Sequence, residues 1–223
     1  MIQLYHVCKK YDSSGFVLND ISLLIKKGEW VVLKGQGKSG KTSLFKLLYG
    51  ADRPDSGEII VCGQNLSCIK KEDISLYRRQ LGIISQERTL LKDKNVWGNI
   101  EIILRCNLRV YGFSPKAIKA RICEVLSLVG LEKKIDVLSG ELTEFEKRKL
   151  LIARAVINNP RVILADDFNA GLDVSEQEEL YQIFKRLKTQ DVTILFSARE
   201  QCLLQGLREI ELVDARIQEK NFK

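Results

Sequence analysis

The stretch GQGKSGKTS, residues 35–43, limits what this chain can fold into more than any other. It follows the short apolar run EWVVLKG and precedes SLFKLLYG, which reads as a helix. A buried strand ending in glycine, then a glycine-spaced loop, then a helix start leaves backbone N–H groups without helical partners. Those groups and the positive end of the helix favour an anion, and phosphate fits them. Gly35, Gly40, Lys41 and Thr42 satisfy GxxxxGK[ST] in the context that the motif requires. Backbone amides along Gly35, Gln36, Gly37, Lys38, Ser39, Gly40 and Ser43 would curl around phosphate oxygens. Lys41 would reach the β and γ phosphates, and Thr42 would offer its hydroxyl to Mg²⁺.

The rest of the chain reads as α/β. Residues 2–7, 17–26 and 58–62 predict short strands, punctuated by DSSG, KKGE and RPDSGE. RVILAD and VTILFS are later runs of the same kind as the strand before the loop. Such runs, alternating with helices, predict a parallel sheet covered on both faces. Ser114 and Pro115 predict a helix start, and Gly130 a stop. Between them Ile118, Ile122, Val125, Leu126 and Val129 recur at helical spacing. Ser175, Glu176, Gln177 and Glu178 predict a capping box, followed by a stripe of Leu180, Ile183, Phe184 and Leu187. Residues from about 87 to 158 read as a helical insertion in an α/β core.

VILADD supplies a partner for the loop. Four apolar residues carry Asp166 to a strand end, where its carboxylate would hold Mg²⁺ through water. Asp167 follows as a base for an attacking water. The six cysteines (8, 62, 68, 106, 123 and 202) occur singly, as in a reduced compartment. No run approaches the ~18 apolar residues of a membrane span. The start MIQLYHVCKK carries no export-signal pattern, so none is expected. The net charge of +7 is dispersed through IKK, YRRQ, KAIKAR and EKRK, without interleaved aromatic residues. That is a solvated basic surface rather than a nucleic-acid platform, and no nucleic-acid partner is expected.

Further segments carry a resemblance. MIQLYHVCKKY, SGKTSLFKLLYG, RPDSGEIIVCGQNL, LYRRQLGIISQ, VLSLVGLEKK and IARAVINNPRVILADD occur in the order and spacing of ABC-type ATPases. The chain resembles that family along its whole length and looks most like the cell-division ATPases of the FtsE type. Lipoprotein-release and MacB-type ATPases are similar as well. The resemblance implies a P-loop NTPase fold with a mixed sheet core, an N-terminal antiparallel β subdomain and an inserted helical subdomain. It implies one domain over residues 1–223, with residues 1–86 and 159–223 as nucleotide-binding core and 87–158 as helical subdomain. Tyr11 would stack on adenine. Gln86 would contact Mg²⁺ and the attacking water, and would transmit nucleotide state. The loop at Gly171, Leu172 and Asp173 would cross between two subunits of a head-to-tail dimer, with two ATPs at the interface.

The stretch LSGELTEFEKRKLLIARAV, residues 138–156, offers two places for the family's glycine-rich signature. Leu138, Ser139 and Gly140 look like one, but using them requires about four extra residues before the helix. In the family the signature leucine lies 24 positions before the Mg²⁺ aspartate, which points to Leu142 (166 − 142 = 24). The signature then reads Leu142, Thr143, Glu144, Phe145 and Glu146. Thr143 keeps a hydroxyl for phosphate. Glu144 and Phe145 add bulk where glycines let the backbone approach the γ-phosphate. A carboxylate ~4 Å from a phosphate charge costs up to roughly 4 kcal/mol at an effective dielectric of 20.

Three departures point the same way. Asp167 stands where the family has a glutamate. Arg199 occupies the position of the switch histidine, and arginine does not readily exchange a proton. Lys38 replaces a usual glycine of the loop. The expectation is a slow ATP hydrolase of ABC type that binds Mg-ATP and works on an FtsX-like integral membrane protein at the inner face of the cell membrane. Its subunits would pair as a homodimer or with a second ATPase. The membrane protein would dock in a groove near residues 86–103, on anchors Trp97, Ile100 and Ile103. A full-rate ATPase of an exporter and a nucleotide-gated scaffold without turnover are the alternatives. A DNA-repair ABC ATPase would carry a long coiled-coil insertion or zinc cysteines, which this sequence lacks.

Overall fold

A computed structural model of the chain describes residues 1–11, 15–85, 90–112, 114–187, 191–198 and 207–219. In chain order, β1 (Ile2–Lys10) and β2 (Phe16–Ile25) pair antiparallel, and β3 (Trp30–Lys34) runs through the glycine-spaced loop into α1 (Lys41–Leu48). The strands β4 (Ser56–Val61) and β5 (Gln64–Asn65) return to the first pair, giving an antiparallel sheet in the order β2-β1-β4-β5. The short α2 (Ile74–Arg78) leads to β6 (Leu81–Ile84). Three helices follow: α3 (Val96–Tyr111), α4 (Pro115–Val129) and α5 (Glu144–Val156). The chain then re-enters the core as β7 (Val162–Ala165), α6 (Val174–Leu187), β8 (Thr193–Ala198), β9 (Arg208–Val213) and β10 (Arg216–Glu219). The second sheet has the order β10-β9-β3-β8-β7-β6. Its neighbours are parallel except for the β9–β10 hairpin, so the sheet is mixed.

The apolar runs are continuous because both faces of the second sheet are buried. Along β3, Trp30 and Val32 point to one core, with Ile163, Phe196 and the apolar faces of α3 to α6. Val31 and Leu33 point to the other, with Leu164, Leu195, α1 and the inner faces of β1, β2 and β4. This period of two places β3 between the antiparallel sheet and the helical layer. The loop after it therefore opens where both layers meet the strand ends.

Helix ends follow local chemistry. Ser114 Oγ accepts from the Ala117 N–H at 3.2 Å, Pro115 opens α4, and Gly130 closes it at φ 70°. The start of α6 differs from the expectation. Asp173, not Ser175, is the cap: its carboxylate accepts from the Glu176 N–H at 2.9 Å, and Glu176 accepts from the Asp173 N–H at 3.1 Å. Ser175 sits in the first turn and donates to Asp173. Left-handed Gly171 finishes the preceding turn early enough for the helix to begin two residues sooner.

The entry to α3 is built on one buried amide. Asn99 is fully buried; its Nδ2 donates to the Leu91 and Lys94 carbonyls at 3.0 and 3.1 Å, and its Oδ1 accepts from the Leu91 N–H at 2.9 Å. Ser139, also buried, donates to the same Leu91 carbonyl at 2.9 Å, and its N–H donates to Lys94 O. Leu138, Ser139 and Gly140 are thus a structural turn that pins the approach to α3, with the serine hydroxyl facing inward. Replacing Asn99 by Ala leaves the Leu91 N–H without its acceptor, removes one of two donors from each of the Leu91 and Lys94 carbonyls, and opens a cavity at a fully buried position. The expected loss is about 2–4 kcal/mol of unfolding free energy, read by urea denaturation; a loss below ~1 kcal/mol would overturn this account of the loop.

Candidate functional site

The glycine-spaced loop forms a ring closed by its own lysine. Lys41 Nζ donates to the carbonyls of Gly35 and Gln36 at 2.5 and 2.9 Å and to Ser39 Oγ at 3.3 Å. The lysine is buried, and these acceptors compensate its charge. Gly40 caps α1 at φ 102°, and a Cβ there would lie 2.5 Å from the Val17 carbonyl of β2. Only glycine admits that approach and that dihedral. No side chain caps α1, so its first N–H groups face the loop. Lys38 is exposed and left-handed at φ 65°, which costs a non-glycine residue about 1 kcal/mol.

Residues 37–43 line a cavity of about 260 Å³ together with Tyr11, Val17, Asp166 and Asp167. Gln36 lines an adjoining cavity of about 490 Å³ between the loop and the β9–β10 hairpin, and Gly35 lies buried beneath the ring. The two aspartates arrive at the cavity from the end of β7. Their placement depends on Ser197 of β8, which is fully buried. Its hydroxyl donates to Asp166 Oδ1 at 2.6 Å and accepts from the Asp167 N–H at 2.8 Å. That N–H belongs to a residue at φ 50°, so the serine holds a left-handed turn. Phe168 anchors the next step. Its ring centroid lies 5.2 Å from Phe184, 5.3 Å from Phe196 and 5.9 Å from Tyr181.

Sequence reasoning passed over Ser197. Its only signal is parallel register: Ala165 pairs with Phe196, which sets Asp166 beside Ser197. The Thr42 hydroxyl and the Asp166 carboxylate are hard oxygen donors on one cavity. Among the described residues no group of three or more metal-ligating side chains occurs. Two oxygens suit Mg²⁺, which keeps waters and takes further oxygens from substrate phosphates. Gln86 and Arg199 lie outside the described residues.

Thr143 and Glu144 do not line this cavity; they form the start of α5. Thr143 caps the helix, accepting from the Glu146 N–H at 3.2 Å, while Glu146 accepts from the Thr143 N–H at 3.1 Å. The side chain of Glu144 is 80% exposed and pairs with Lys147 at 2.7 Å. The Lys147 ammonium bonded to it holds the Glu144 carboxyl below the usual range. Phe145 is half-buried, with Lys149 Nζ 4.5 Å from its ring centroid. Lys149 in turn pairs with Glu179 of α6. The bulk of Phe145 is therefore partly drawn toward the core, while the Glu144 side chain stays outward.

A third cavity, of about 380 Å³, lies between α2, α3 and α5. Its apolar lining includes Leu91, Ile102, Ile103 and Leu151, with Arg78, Arg79 and Arg154 among the polar groups. Of the expected anchors, only Ile103 lines it. Ile100 is fully buried, and Trp97 packs half-buried against the core. The inner stripe of α3 is Val96, Ile100 and Leu104, at steps of four, so Ile100 falls on the core side.

Comparison with known proteins gives a consistent answer. A sequence model described as ABC transporter matches residues 18–170. The cell division ATP-binding protein FtsE of Streptococcus pneumoniae (strain D39) is 35% identical over 208 residues, 93% of this chain and 89% of that protein. FtsE of Bacillus subtilis (strain 168) is 30% identical over 209 residues, 94% of this chain and 90% of that protein. FtsE of Escherichia coli K12 is 32% identical over 200 residues, 90% of this chain and 88% of that protein. Among solved structures, the dimeric bacterial ABC transporter cassette MJ0796 superposes with a TM-score of 0.88 at 27% identity, covering 100% of both chains. A post-hydrolysis state of that cassette, bound to ADP and Pi, superposes equally well at 26% identity. With more than half of its length matched, and with the glycine-spaced loop meeting paired aspartates in one cavity, the chain belongs to the ABC transporter family and is similar to its FtsE-type ATPases.

Proposed function

We propose that the protein is the ATP-binding and ATP-hydrolysing subunit of an FtsE-like assembly, with slow turnover, acting on an integral membrane partner during cell division. The observation that carries this reading is the single cavity lined by the loop at residues 37–43, Asp166 and Asp167. The polyphosphate lies along the loop amides and the start of α1, and Lys41 turns its ammonium to the β and γ oxygens. Thr42 and Asp166 would hold Mg²⁺, which when bound would supply neutralising charge to the polyphosphate. Water attacks the γ-phosphorus while Asp167 accepts its proton. The bond from that phosphorus to the β–γ bridging oxygen breaks, giving ADP and phosphate. Ser197 keeps Asp166 and Asp167 in register for these roles. Tyr11 takes the base.

Slow turnover is supported by the α5 start. In a head-to-tail dimer Thr143 and Glu144 would face the γ-phosphate of the partner's nucleotide. The Thr143 oxygen already caps the helix, although its O–H remains a donor. Glu144 and Glu146 occupy the positive end of α5, where an anion would otherwise be favoured. Asp167 is shorter than glutamate by one methylene. The apolar cavity between α2, α3 and α5 suits a helix of an FtsX-like membrane protein. No helix among the described residues is long and apolar enough to cross a membrane, so membrane contact would come through that partner.

Lys41→Ala is expected to weaken Mg-ATP binding at least about tenfold by calorimetry, because it deletes charge-assisted contacts to phosphate. Equal affinity would remove the loop from the site.

Glu144→Gly is expected to promote ATP-dependent dimerisation more than Phe145→Gly does. Asp167→Glu alone should raise hydrolysis little. Combined with Glu144→Gly it should raise the steady-state rate by more than the product of the separate effects, since groups acting as a unit do not add. A fast wild-type rate, or full rescue by Asp167→Glu alone, would overturn the assignment of the α5 start.

Ile102, at 38% exposure on the groove, is replaceable without opening the core. Ile102→Glu should reduce co-purification of the membrane partner about tenfold, with melting temperature and ATP affinity unchanged. Undiminished capture would rule the groove out.

A further inference from the structure

The tyrosine over the nucleotide cavity is held at more than one point. Its hydroxyl donates to Asp52 Oδ2 at 2.6 Å, across 41 positions of sequence. The other oxygen of Asp52 accepts from Lys9 Nζ at 3.0 Å. That ammonium is itself buried, bonded to the Arg53 carbonyl at 2.8 Å and to Asp55 at 3.4 Å, and stands 5.2 Å from the centroid of the Tyr11 ring. Asp55 closes the clamp: its carboxylate accepts from the Lys10 N–H at 2.6 Å, and its own N–H donates to the Cys8 carbonyl at 2.9 Å. The turn that follows α1 thus grips the end of β1, where Tyr11 begins the exit from the sheet.

Two consequences follow from chemistry. A tyrosine at a strand end ordinarily samples several rotamers, and ordering it costs entropy when a ligand binds. Here the hydroxyl is already anchored and one side of the ring already faces a cation, so that entropy is spent in folding. A cation beside one face also leaves the other for a base. The groups are electrostatically matched as well. Burial alone would raise the Asp52 carboxyl, but the hydrogen bonds from Tyr11 and Lys9 outweigh it and hold it below the usual range. Burial, then the bond to Asp52, pushes the Tyr11 phenol above its usual value, so it stays a donor.

Resting on the reading of the cavity as an ATP site with Tyr11 against the base, we propose that Asp52 is a positioning residue for base recognition. It orients Tyr11 through the phenol and is itself held by Lys9. The site then discriminates a base-bearing nucleotide from a bare polyphosphate through a residue that touches neither.

The test compares Mg-ATP with magnesium tripolyphosphate, by calorimetry on the full chain. Asp52→Ala should weaken ATP binding about three- to tenfold, a part of what a base stacked on an aromatic ring contributes, and leave tripolyphosphate affinity unchanged. Tyr11→Phe keeps the ring, lacks the anchor, and should match it. The double variant should be no worse than either single, as for two ends of one interaction. Asp52→Asn, which keeps an acceptor for the phenol, should retain most of the affinity and serves if the alanine variant folds poorly. If Tyr11→Ala lowers ATP affinity while Asp52→Ala and Tyr11→Phe do not, the positioning role fails and the ATP reading stands. If Tyr11→Ala leaves the ratio of the two affinities unchanged, the base does not meet Tyr11 and both fail. An equal loss for both ligands in Asp52→Ala would make Asp52 a support of the loop and overturn the proposal.

Discussion

The ring that Lys41 closes on the carbonyls of Gly35 and Gln36 is the constraint to which the rest of the molecule conforms. A buried ammonium needs acceptors, and only a tightly curled backbone offers two carbonyls and a hydroxyl within reach of one side chain. The curl requires glycine at residue 40, because the next backbone, at Val17, stands 2.5 Å from where a Cβ would be. The antiparallel sheet is therefore packed against the loop through β2. In this way an apolar strand, a loop and a β-layer that are separate in sequence become one wall.

The opposite wall is set by a single hydroxyl. Ser197 has one proton and gives it to Asp166; it takes the Asp167 N–H on a lone pair. Both of its partners belong to the neighbouring strand end, so the register of β7 on β8 fixes two carboxylates at once. Phe168 then turns the chain into the aromatic layer and prevents that strand end from drifting. The cavity is thus bounded by a backbone ring on one side and by side-chain hydrogen bonding on the other.

Much of this was legible in the sequence because it is local. The loop motif, the apolar runs and the start and stop of α4 depend on residues within a few positions of one another. What was not legible depends on register or on distance along the chain. Ser197 is an unremarked serine until β8 pairs with β7. Asp52 is a turn residue until folding brings it to Tyr11. The cap of α6 moved from Ser175 to Asp173 because two overlapping patterns competed and the preceding turn decided between them. Ile100 failed as a surface anchor because a spacing of three residues does not say which side of a helix faces inward. The turn at Leu138, Ser139 and Gly140 commits its serine hydroxyl to Leu91, 48 positions earlier, which its letters do not reveal.

Helix α5 has a mechanical property that follows from what lies at its two ends. Its thirteen residues make a rod about 20 Å long. The first turn carries Thr143 and Glu144, and the second half contributes Leu151, Arg154 and Ala155 to the groove beneath α3. Between them, Lys149 fastens the rod to α6 through Glu179, close to its midpoint. Buried Leu150, Ile152, Ala153 and Val156 hold its second half in the core, so the helix start and the groove lining belong to one rigid element. A helix has no internal joint, so the distance from Thr143 to the groove residues is set by the helical rise and not by side-chain packing.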